Sequence, residues 1–118
     1  TLIQDLKASG ATVVLATPNT IGEKPLGKNS LDALLEEFSA ISRRVAREEN
    51  LTLCDLRRGF QDHLRIFNPT DKAKGVLTTD GVHLNAAGKS VVGTGAARAL
   101  REARLSPTPQ AAAPDPPH

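Results

Sequence analysis

The chain has 118 residues, 15 Lys and Arg against 13 Asp and Glu, a net charge of +2, three Phe, neither Trp nor Tyr, and a single Cys. Charges so balanced and interspersed, without aromatic stacking platforms, do not imply a nucleic-acid partner, and none is expected. No apolar run approaches the roughly 18–20 residues of a membrane span, and one cysteine excludes an internal disulfide.

Leu2, Ile3 and Leu6 share a helical face, and Gly10 suits the position just past a helix end. The opening run Thr1 to Leu6 reads as the middle of a helix, and the chain contains no Met. Both features lead us to expect further sequence upstream of Thr1. Ala11 to Ala16 is a short β-branched run without alternation, the pattern of a strand buried on both faces. Pro18 ends it, and residues 18–30 form a loop rich in Gly, Pro, Lys and Asn.

A long helix follows, with Asn29 or Ser30 as its cap. Leu31, Leu34, Leu35, Phe38, Ile41 and Val45 recur at helical spacing, which predicts that this stripe faces the core. Asn50 stops the helix. The doublets Arg43-Arg44 and Arg57-Arg58 read as solvated helix faces. Leu51 to Asp55 is a second strand, in which Cys54 is a buried, inert thiol. Leu56, Phe60, Leu64 and Phe67 outline the next helix, which Asn68-Pro69 breaks. His63 lies beside Asp62 on that helix. Neighbours there point about 100° apart, so the two form a solvated face and not a catalytic pair. No His and Cys cluster has zinc spacing, and neither metal nor cofactor is expected.

A polar loop leads through Val76-Leu77 to Asp80, and Asn85 is placed to cap a final helix buried through Val91, Val92, Ala96, Ala99 and Leu100. Gly93 and Gly95 are read there as sites of close packing. The last stretch, 106–118, holds five prolines and three alanines and is expected to be a disordered tail, leaving 1–105 to fold. Strands alternating with helices predict an α/β fold with a parallel sheet covered on both faces. Two strands alone make a marginal sheet, so further strands are expected upstream.

Chemistry concentrates in Thr79-Asp80-Gly81-Val82-His83-Leu84-Asn85-Ala86-Ala87-Gly88. Asp80 precedes His83 by three residues across a turn that Gly81 permits, so the carboxylate can reach Nδ1 and leave Nε2 free. An imidazole oriented in this way is the base of a hydrolytic triad. The plainer alternative is a turn residue followed by a structural histidine. The 18–30 loop, Val82 and Leu84 are candidates for pocket walls.

This string resembles the final motif block of the SGNH, or GDSL-type, hydrolases. Together with Val14-Leu15-Ala16-Thr17-Pro18, Asp55-Leu56-Arg57 and Gly75-Val76-Leu77-Thr78, it is similar to the branch that includes isoamyl acetate-hydrolysing esterases. The resemblance spans nearly all of 1–105. It implies the C-terminal half of a flavodoxin-like three-layer αβα sandwich, with His83 as general base and Asp80 as its orienting partner. It also implies a small-molecule ester substrate and an acyl-enzyme on a serine. That serine and the oxyanion-hole glycine and asparagine are expected upstream. Ser9, Ser30, Ser39, Ser42 and Ser90 lack a Gly-Asp-Ser context, and Asn19 lacks the preceding glycine. Rival readings are a carbohydrate O-deacetylase or lysophospholipase of the same superfamily, and a non-catalytic flavodoxin-like interaction module.

Overall fold

The structure is a computed structural model and describes residues 1–105, so the expected disordered tail 106–118 lies outside the described residues. The elements run α1 (Leu2–Ala8), β1 (Val14–Ala16), α2 (Asp32–Glu48), β2 (Thr52–Cys54), α3 (Leu56–Phe67) and α4 (Ala86–Leu105). The two strands pair in parallel, with Val14 opposite Thr52 and Ala16 opposite Cys54. α2 makes the crossover between them. α2 and α4 each pack on the sheet, and α3 packs on α4. This is the α/β arrangement that the alternation of elements predicts.

The helices stop and start for local reasons. Thr1 pairs reciprocally with Gln4 at the start of α1. Gly10 takes φ +89° after that helix, and Asn50 takes φ +55° after α2. Asp55 caps α3 by accepting from Arg58 N. Asn85 caps α4, its Oδ1 accepting from Gly88 N at 2.9 Å.

α2 departs from the sequence-based expectation. Leu31, Leu34, Phe38 and Ile41, four of the six residues of the apolar stripe, are 40–50% exposed. The buried side carries Asp32, Leu35, Ser39 and Ala46. Asp32, Glu36 and Arg43 lie on or beside that stripe and bind Arg57 and Asp55, so ion pairing turns the polar side inward. Asn29 is not the cap of this helix. Its side chain bonds Lys24 and Asp32, and the Asp32 carboxylate reaches back to the backbone N–H groups of Gly27 and Asn29.

The arginine doublets also need correction. Arg57 is fully buried, held by Glu36 and by Asp32 at 3.4 Å. Arg43 grips Asp55 through two bonds of 2.9 and 3.1 Å. Burial alone would raise the Asp55 carboxyl, but Arg43, Arg58 N and Thr17 Oγ1 hold it below the ordinary value. Only the second member of each doublet, Arg44 and Arg58, stands in solvent.

The apolar core is small. Phe60, Leu64 and Leu77 are buried, with Val76, Leu84, Val91 and Val92 against them. Each large side chain so buried contributes about 1.5–3 kcal/mol. Leu100, expected inside, is 58% exposed, and Phe67 at the end of α3 is 61% exposed. Phe67 stacks on His63, with ring centroids 4.5 Å apart. Close approach of α4 falls at Gly88, where a Cβ would stand 2.1 Å from Leu77 O. Gly95 contributes too, at 3.4 Å from Leu56, whereas Gly93 faces open space. Cys54 is buried as expected, and desolvation pushes its thiol up.

Candidate active site

The loop between α3 and α4 carries Asp80 and His83. Gly81, at φ +96°, lets the chain reverse between them. Thr79 N donates to His83 O at 2.9 Å, and a bridge joins Thr78 to Leu84, so the two residues sit in a closed five-residue loop, 79–83. Leu84 turns into the core, while Val82 stays half exposed.

Within the loop the Asp80 carboxylate is fully engaged on one side. Oδ1 accepts from His83 N at 2.7 Å and Val82 N at 2.9 Å, and Oδ2 lies 2.6 Å from His83 Nδ1. The bond from His83 N, then the His83 ring and the bond from Val82 N, hold the Asp80 carboxyl far below the usual carboxylate range. An anion at Nδ1 favours a proton on that nitrogen and leaves the Nε2 lone pair available. The ring is 80% exposed and Nε2 has no partner among the described residues. Geometry therefore brings the two sequence-predicted residues together as an imidazole with a fixed orientation and a free basic nitrogen.

Two loops meet at this point. Gly22 N donates to Gly81 O at 2.7 Å, and Glu23 N donates to Ala73 O at 3.1 Å. A depression of about 300 Å³ opens beside Asp80, bordered by Ile21, Gly22, Lys24, Lys28, Ala73 and Val82. The 18–30 loop thus forms one wall of the site. A larger cavity of about 650 Å³ lies between this loop, α2 and α3. It does not include Asp80 or His83, and Asp32, Glu36 and Arg43 on its wall are committed to internal pairs.

Sequence patterning gives no hint of Glu23. It is 1% exposed, and its carboxylate accepts from Val76 N, Leu77 N and Thr78 Oγ1. A glutamate in a loop of Gly, Pro and Lys reads as solvated, because its partners lie more than fifty residues away. His63 remains on its helix, against Phe67, and takes no part. Among the described residues no group of three or more His, Cys, Asp or Glu side chains could hold a metal ion. No described helix is long and apolar enough to cross a membrane.

A family model for the GDSL-like lipases and acylhydrolases matches residues 1–91. The chain belongs to this family. Among solved structures it is similar to an acetyl xylan esterase, with a TM-score of 0.81 and 37% identity over 84% of this chain. That match covers 50% of the esterase, so the chain spans about half of that protein's length. A comparison with curated proteins gave no match. The small parallel sheet with its packed helices is the GDSL fold of that neighbour.

Proposed function

We propose that this chain supplies the base and the orienting acid of a GDSL-type serine hydrolase that removes acetyl groups from carbohydrate esters. The observation that carries the reading is the 2.6 Å contact between Asp80 Oδ2 and His83 Nδ1, which leaves Nε2 unengaged. Membership of the GDSL-like family supports ester hydrolysis. The motif string resembles esterases acting on isoamyl acetate, and the structural neighbour is an acetyl xylan esterase, so both likenesses share an acetyl group. Identity of 37% to the second favours a sugar hydroxyl as the leaving alcohol over a branched alkyl chain or a lysophospholipid.

In this mechanism His83 Nε2 takes the proton of a serine hydroxyl as the oxygen attacks the acetyl carbonyl. It then returns the proton to the departing sugar oxygen, leaving an acetyl-serine. The same nitrogen takes a proton from water in the second half, so that acetate leaves and the serine is restored. Asp80 holds the ring and stabilises its charged form throughout. The serine and the oxyanion donors come from residues outside this chain. The exposure of His83, at 80%, suits a cleft completed by another wall.

The test uses the whole protein that carries this chain. Acetate release from acetylated xylo-oligosaccharides should exceed that from isoamyl acetate and from a lysophospholipid. His83→Ala should abolish it with the thermal midpoint unchanged. Unimpaired turnover in that variant would remove the reading and leave Asp80 and His83 as a capped turn.

A further inference from the structure

Asp80 and His83 stand on an exposed loop, and exposed ion pairs hold their geometry weakly by themselves. The rigidity has a source directly beneath them. Glu23 Oε1 accepts from Val76 N and from Thr78 Oγ1, both at 3.0 Å, and Oε2 accepts from Leu77 N. Three consecutive residues are thereby fixed on one buried carboxylate. Asn68 Nδ2 donates to Glu23 O at 2.7 Å and fastens the backbone on its far side.

Thr78 passes this anchoring on. Its hydroxyl has one proton and two lone pairs. It donates to Glu23 and accepts from Gly81 N at 2.8 Å. Gly81 N belongs to the peptide that joins Asp80 to the turn, so the bond sets the direction in which the Asp80 side chain leaves the backbone. Thr78 is 1% exposed, and in that setting a missing partner for either group is costly. From these contacts we infer that Glu23 is a positioning residue for the Asp80–His83 pair, acting through the Thr78 hydroxyl on the Gly81 amide. The inference rests on the catalytic reading of that pair, and it assigns a role to a buried acid that the hydrolytic mechanism itself does not use.

The chemistry is particular to a carboxylate. Glu23→Gln keeps the shape but points an amide N–H at a backbone N–H, a pairing of two donors. Thr78→Val keeps the volume of Thr78 and removes its hydroxyl, whereas Thr78→Ser keeps the hydroxyl and removes a methyl group.

The readout is the tautomer of neutral His83, taken from its ring ¹⁵N shifts in the whole protein that carries this chain, which needs no substrate. Wild type and Thr78→Ser should favour the Nδ1–H form. Thr78→Val and Glu23→Gln should lower the Nδ1–H to Nε2–H ratio by roughly fivefold, the worth of one hydrogen bond. Asp80→Ala should lower it at least as far. Leu35→Ala, which opens a buried position on α2 outside the Glu23–Thr78–Gly81 hydrogen bonds, should leave the ratio alone. If Thr78→Val folds and keeps the wild-type ratio while Asp80→Ala does not, the inference is overturned and the pair survives. A shift in Leu35→Ala equal to that in Thr78→Val overturns it as general loosening. If Asp80→Ala leaves the ratio unchanged, the Asp80–His83 pairing fails and the role of Glu23 falls with it. Should Glu23→Gln not fold, the Thr78 variants decide.

Discussion

Asp80 binds two backbone amides and an imidazole, all within the next three residues. A carboxylate so solvated by donors resists protonation. Its folded value lies below 3.8, so its interactions are intact above that pH and are lost only as the pH falls further, through the lowered value. Between about pH 5 and 3.8 the Asp80 contact with His83 should therefore persist, visible as an unchanged carboxyl ¹³C shift. A carboxyl titrating near 3.8 would contradict the hydrogen bonding described here. In the whole protein, Asp80→Asn should cost on the order of 10⁴ in kcat, because the amide can favour the wrong tautomer. His83→Ala should cost on the order of 10⁶. Both residues were legible in the sequence because a local Asp-x-x-His pairing needs only its own turn. Glu23 was not, because its meaning depends on donors brought from the other side of the fold.

At the scale of elements, two features make opposite demands on substitution. Gly88 lets α4 lie against the Leu77 carbonyl, and a methyl group there has a rigid backbone atom in its way. Gly88→Ala should lower stability by about 1–3 kcal/mol in urea unfolding, despite the better helix propensity of alanine. The outer face of α2 should tolerate what a core would refuse. Phe38 is half exposed, so Phe38→Lys should change stability by less than about 1 kcal/mol. A buried phenylalanine would lose about 3–5 kcal/mol on truncation, so a loss in that range would restore the sequence-based orientation of the helix. Periodicity finds a helix well, and the bounds of α3 match the run Leu56 to Phe67. It does not choose between two stripes when the polar one has a buried partner. Arg57 is that partner, and nothing near it in sequence announces Asp32 or Glu36.

At the scale of the molecule, two parallel strands, a small apolar core of Phe60, Leu64 and Leu77 with Leu35 buried on α2, and a set of ion pairs hold the described chain together. The α/β class was legible from the alternation of strand and helix signals. The packing was less so, since it depends on contacts between distant segments such as Thr17 with Asp55 and Glu23 with Thr78. The proposed function places the nucleophile outside this chain. Purified alone, it should therefore release no p-nitrophenol from p-nitrophenyl acetate above the buffer rate, and a serine-directed phosphonate should not label it. The paired glycines at 22 and 81 set a rule for anyone redesigning these two loops. Both have positive φ, their backbones touch, and a side chain at position 22 would strike Asn29 at 2.3 Å. Gly27, in the same loop, has nothing within 4 Å. Gly27 too has positive φ and donates its N–H to Asp32, so variation meant to reshape this rim belongs at exposed non-glycine positions such as Leu26, which leave the clasp between the two loops intact.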